Sequence, residues 1–219
     1  MPPVPPATSV PLTDHVESLL DSGSPLPIVA AGDPVLRRPA EPFDGQLSGD
    51  LLARLVEAMR ATMHAAPGVG LAAPQIGVPL RLAVLEDAAA VPDEVRLARG
   101  RVPLAFRVLV NPSYEAAGGR VAAFFEGCLS VPGYQAVTAR HERVRLRGLD
   151  ERGRVLDEEV AGWPARIVQH ETDHLDGTLY LDRAEPRSLT TTQAAAARWA
   201  DPTPERAARE LRFTLPGTD

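Results

Sequence analysis

At 219 residues, against a typical domain of roughly 100–200, the chain makes one sizeable domain with extensions. Its 44% hydrophobic, 24% charged and 5% aromatic composition excludes collagen-like, coiled-coil and wholly disordered classes. A formal charge of −6 argues against a general nucleic-acid or anionic-membrane surface, and the single Cys128 cannot form an intrachain disulfide, so it acts as thiol or thiolate.

Residues 1–27 hold seven prolines and precede the first arginine, Arg37. A secretory signal needs early positive charge and then an apolar stretch, and a transit peptide is arginine-rich. The segment is therefore expected to be a flexible Pro-rich arm on a cytoplasmic bacterial protein, with residues 14–20 able to form a short helix. No apolar run approaches the roughly 18 residues of a membrane span.

Further on, Leu51, Leu52, Leu55, Val56, Met59 and Met63 fall at helical spacing, with Asp50 expected as N-cap and Pro67-Gly68 ending the element. Residues 81–85 read as strand and the Pro/Ala/Arg-rich stretch to Pro103 as a long loop. Strands are also predicted over 108–110 and 121–125. A hairpin is predicted over 144–160, turning at Asp150-Glu151-Arg152-Gly153.

Gly162-Trp163-Pro164 then opens a helix that carries Trp163, Ile167, His170, Glu171 and His174 on one face. The tail past Arg187 reads as helix, broken at 201–204 and resumed to about Phe213. Strands followed by helices predict an α+β fold with antiparallel pairing. The division expected is an arm over 1–27, a catalytic domain over 28–187 and a helical tail over 188–219.

His170-Glu171-Thr172-Asp173-His174 is an H-E-x-x-H sequence. Imidazoles four apart on a helix reach one metal, and the glutamate beside them can handle a proton on water activated there. Three sources of a third ligand compete. One protease class continues to a third histidine after a glycine, but here Gly177 is followed by Tyr180 at that place. Downstream carboxylates, Asp182 and Glu185, are a second source. The third is Cys128, in Glu126-Gly127-Cys128-Leu129-Ser130, between a strand-like run and a Pro-Gly turn. His15, His64 and His141 match no motif and read as surface or locally satisfied residues.

Three segments in order, Gly68-Val69-Gly70-Leu71-Ala72-Ala73-Pro74-Gln75-Ile76-Gly77, the Glu-Gly-Cys-Leu-Ser run and the H-E-x-x-H helix, strongly resemble the signature motifs of the peptide deformylases. The match runs from about Ile28 to about Arg183. Gly162-Trp163-Pro164-Ala165-Arg166-Ile167 and Leu179-Tyr180-Leu181-Asp182 resemble the type 1 branch, particularly the subgroup that includes eukaryotic organelle enzymes.

The resemblance implies antiparallel sheets around a central helix carrying the H-E-x-x-H motif, and a C-terminal helix. It implies removal of the formyl group from the N-terminal formyl-methionine of nascent peptides, near the ribosome's exit tunnel. It implies one divalent metal, Fe(II) first and Zn(II), Ni(II) or Co(II) otherwise, held by Cys128, His170 and His174. Glu171 becomes the general acid and base, with the Gln75 amide and the Leu129 N–H as oxyanion donors. Gly70 pairs with the substrate backbone, Val69, Phe124, Trp163 and Ile167 wall the methionine pocket, and Glu126 joins the substrate-binding set.

The bulk of Trp163 predicts a shallower or differently shaped pocket. Where many relatives carry an arginine this chain has Gln135, which removes one charged contact near the substrate. Two rival readings remain at this stage: a metalloprotease cleaving internal peptide bonds, prompted by H-E-x-x-H alone, and a degenerate homologue serving as a scaffold.

Overall fold

The computed structural model describes residues 11–216. A helix α1 (Leu12–Asp21) is followed by α2 (Gly49–Ala65), the short strand β1 (Gly70–Ala72), β2 (Leu82–Asp87) and a six-residue helix α3 (Asp93–Ala98). Then come β3 (Leu104–Ala116), β4 (Val121–Cys128), β5 (Val131–His141), β6 (Arg143–Leu149) and β7 (Val155–Ala161). Helix α4 (Gly162–Leu175), the two-residue β8 (Thr190–Thr191), α5 (Thr192–Arg198) and α6 (Glu205–Leu211) complete the chain. No described helix is long and apolar enough to cross a membrane.

All strand pairs within the sheets are antiparallel. One sheet has the order β1-β2-β3-β6-β7 and the other β4-β5-β8. The α+β expectation and the predicted hairpin hold, with Arg143 opposite Ala161 and Leu149 opposite Val155.

The unbroken apolar run of β2 is explained by burial on both faces. Leu82 and Val84 join a core with α1 and α2, while Ala83 and Leu85 face a second core with Ala165, Ile167, Val168 and Leu175 of α4. Successive strand residues point to opposite sides, so only an all-apolar strand satisfies two covering helices. Helix α4 is thereby fixed against the larger sheet, and it also packs on β5 of the smaller one.

Several expectations need correction. The N-cap of α2 is Ser48, whose extended backbone lets its hydroxyl accept from Leu51 N at 3.2 Å, and Asp50 lies inside the first turn. The stretch to Pro103 is not all loop, because Asp93 and Arg96 pair one turn apart in α3. The turn after Cys128 is Leu129-Ser130, and Pro132-Gly133 belong to β5. The described part of the expected arm is packed: Val16 and Leu26 are buried in the α2 core, and Leu26 N donates to Thr62 Oγ1 at 2.8 Å. Residues 1–10 of that arm lie outside the described residues.

Candidate active site

Helix α4 carries His170, Glu171 and His174, and β4 delivers Cys128 beside them. A register shift between Gly127 and Cys128, next to the Leu129-Ser130 turn, sets the cysteine out of the regular ladder. The Cys128 Sγ lies 3.2 Å from His174 Nε2. Donor atoms of Cys128, His170 and His174 all fall within 4.8 Å of one another. Ligands sharing one ion through bonds of about 2.0–2.3 Å stand at comparable separations. A thiolate with two imidazoles suits Fe(II), Zn(II), Co(II) or Ni(II).

One orphan atom supports the fit: Glu171 Oε2 is buried with no hydrogen-bond partner. The other downstream candidates are engaged elsewhere: Asp182 accepts from Leu179 N and pairs with Arg37, and Glu185 accepts from Arg187 N. Tyr180, in the place where one protease class has its third ligand, stacks on His170 with ring centroids 6.2 Å apart.

His170 is oriented from behind, its Nδ1 standing 3.2 Å from Glu126 Oε2. Such a carboxylate fixes the ring so that Nε2 is the nitrogen presented to a metal. Glu126, expected among the substrate contacts, commits both oxygens to this support. Arg140 donates to both of them at 2.7 and 3.0 Å, and Arg166 donates to Oε1.

Arg140 also bonds Asp173 Oδ2 at 2.8 Å, tying β5 to α4. Burial alone would raise the Glu126 carboxyl, but Arg140, His170 and Arg166 hold it well below the usual range. Arg140 and Arg166 were missed in the sequence because isolated arginines read as surface residues. Here both are almost fully buried.

Glu171 is buried, and that burial pushes its carboxyl up to about 7 against the opposing charges of His170 and Arg140. It has room because of Gly70. A Cβ there would stand 2.2 Å from Glu171 Oε1. Desolvation lowers His170, yet hydrogen bonds to Cys128 and Glu126 push it up to about 10. Burial and the neighbouring His170 and Arg140 charges lower His174 well below the usual imidazole range.

Gln75 Oε1 accepts from Ala72 N at 2.8 Å, which turns its amide nitrogen toward Ser130 Oγ at 3.3 Å and Cys128 Sγ at 3.5 Å. Leu129 sits in the turn that follows the cysteine. Val69, Ile167 and Trp163 belong to one apolar cluster, and Phe124 meets the Trp163 ring edge-on with centroids 6.0 Å apart. Phe124 thus meets the other three expected positions through Trp163.

A family model described as "Polypeptide deformylase" matches residues 25–189. The chain is 72% identical to "Peptide deformylase 3" of Streptomyces avermitilis over 210 residues, covering 96% of this chain and 94% of that one. It is also 72% identical to "Peptide deformylase 1" of Streptomyces coelicolor over 212 residues, 97% of each. Among solved structures, a peptide deformylase from Synechococcus elongatus in complex with actinonin superposes with TM-score 0.63 at 32% identity, covering 89% of this chain and 90% of that one.

Proposed function

The chain belongs to the peptide deformylase family, a hydrolase that removes the formyl group from N-terminal formyl-methionine, and from that premise we infer which of its residues perform the reaction. Cys128, His170 and His174 would hold one divalent ion, Fe(II) in the first instance with Zn(II), Ni(II) or Co(II) as substitutes. Such an ion, when bound, polarises a carbonyl and makes water nucleophilic at neutral pH.

Glu171 takes the proton from the attacking water and delivers it to the departing amine, and its buried carboxyl near neutrality suits both directions. The oxyanion formed on the formyl carbon is met by the Gln75 amide, pre-aimed by its bond to Ala72 N, and by the Leu129 N–H. Strand β1 is an edge of the larger sheet. The substrate backbone adds alongside Gly70 as a further strand, and its methionine enters the Val69, Phe124, Trp163 and Ile167 cluster. Nascent chains as substrate make the cytoplasm the place of action, with the ribosome's exit tunnel as the point of encounter.

The observation that carries this assignment is one thiol and two imidazoles converging beside a buried carboxylate whose space a glycine leaves open. Glu171→Gln keeps the shape and removes the base. Formate release from formyl-Met-Ala is expected to fall by at least about 10²- to 10⁴-fold, with metal content unchanged. Substantial retained turnover overturns the role given to Glu171.

A further inference from the structure

The Phe124–Trp163 pair is not backed by packed protein on every side. Phe124 and Arg166 line a cavity of about 290 Å³ together with Arg99, Ala122, Gly100 and Gly162. Its lining includes neither Val69, Trp163 nor Ile167. Along α4 the cavity touches Gly162 and Arg166, whereas His170 lies about 6 Å further up the helix axis. The cavity therefore meets α4 about one turn before the metal donors.

Three guanidinium groups gather at this wall. Arg99 stands 5.4 Å from the Trp163 centroid and 5.6 Å from that of Phe124, Arg101 is 5.3 Å from Trp163, and Arg166 is 5.1 Å from Phe124 and 5.6 Å from Trp163. Two of them have carboxylate partners. Arg166 pairs with Glu126, and Arg101 with Asp87 at 2.8 Å.

Arg99 has no ion-pair partner among the described residues, and its guanidinium donates to two main-chain carbonyls of the tail, Pro202 O at 3.0 Å and Asp201 O at 3.5 Å. Burial, with the charges of Arg101 and Arg166, makes its place unfavourable for a cation. What compensates is the pair of carbonyls and the two ring faces. Arg99 thereby links the tail to the wall.

We propose that Arg99 is a specificity-determining positioning residue: held by the Asp201 and Pro202 carbonyls, it braces the Phe124–Trp163 wall and limits how bulky a first side chain the enzyme accepts. This rests on the reading that Phe124 and Trp163 wall the methionine pocket. Arg99 touches no reacting atom. Without its side chain Phe124, which lines the adjoining cavity, is free to retreat into it, so larger first residues gain relative to methionine.

The test compares kcat and KM for formyl-Met-Ala and formyl-Phe-Ala, using metal-loaded full-length wild type, Arg99→Ala, Arg99→Met, Arg99→Lys and Trp163→Ala. One added or missing group in an apolar pocket shifts selectivity on the order of tenfold or more. Arg99→Ala is accordingly expected to raise the phenylalanine-to-methionine ratio of kcat/KM about tenfold, through KM more than kcat. Arg99→Met, which keeps the packed stem, is expected to move it in the same direction, and Arg99→Lys, which keeps a cation over the rings, to recover part of the change. A shift in Trp163→Ala with none in either neutral Arg99 variant overturns the inference about Arg99 and leaves the pocket reading standing. No shift in any variant overturns both, and an equal loss of kcat on the two substrates makes Arg99 merely structural.

Discussion

A single methyl group at position 70 tests whether the Glu171 carboxylate must sit where it does. A Cβ on Gly70 would stand 2.2 Å from Glu171 Oε1, 2.6 Å from its Cδ and 2.7 Å from its Cγ. Non-bonded heavy atoms rest at roughly 3.5 Å, so the carboxylate has to withdraw by about 1 Å or more. The α4 backbone cannot follow, because Ala165, Ile167, Val168 and Leu175 anchor it in the core; the side chain turns away instead. A misplacement of about 1 Å costs on the order of 10²-fold in rate, and kcat/KM of Gly70→Ala for formyl-Met-Ala is expected to drop by at least that much.

The nearest atoms to the new methyl all belong to Glu171, so elemental analysis should find the metal content of wild type. Gly68→Ala is the matched control. Its Cβ would meet the end of the Leu129 side chain at 2.9 Å, a flexible group that can move aside, so its loss is smaller. Activity of Gly70→Ala within threefold of wild type, metal retained, would refute the placement argument.

Three further outcomes follow from the supporting residues. Glu126→Gln takes from buried Arg166 its one carboxylate partner among the described residues and from buried Arg140 one of two, and should destabilise the metal-free protein by about 3–5 kcal/mol in urea unfolding at pH 7. Because the folded pKa of Glu126 lies well below 4.5, the unfolded chain binds more protons as pH falls beneath that value. The wild-type advantage is therefore complete above about pH 4.5 and shrinks as acid titrates the folded carboxylate; a gap constant from pH 7 to 3 contradicts this. Cys128→Ala removes one of three donors, so metal per chain should fall sharply, and chelated wild type should lose formate release and regain it on adding back a divalent ion. Undiminished metal in Cys128→Ala counts against the donor set. Gly162 has φ +67° and its Cβ would lie 2.4 Å from Gly100 O, so Gly162→Ala is expected to cost about 2–3 kcal/mol and lower Tm by several degrees, with an unchanged Tm as the contrary result.

The residues that could be found in the sequence are those whose evidence is local. His170, Glu171 and His174 sit within one and a half turns of a helix, Gln75 and Gly70 within one short segment, and the 144–160 hairpin carries its own turn and alternation. Strand β5 was hidden because Pro132 and Gly133 punctuate it like a turn. The chain instead reverses three residues earlier, at Leu129-Ser130, and Gly133 takes φ +82° within the strand. Ser48 and Asp50 are equally good caps by residue type, and only the extended backbone at Ser48 decides between them.

The support of His170 was hidden for a deeper reason. Glu126 meets Arg140 across 14 residues and Arg166 across 40, while Arg140 reaches Asp173 across 33. No periodicity links such positions, and a charged residue taken singly belongs on the surface. Burial becomes favourable only once every member of the network is paired, since any one left alone would bear an uncompensated desolvation cost. Donor identity is thus a property of short segments, but the orientation of those donors depends on a charge network that exists only when β4, β5 and α4 have already come together.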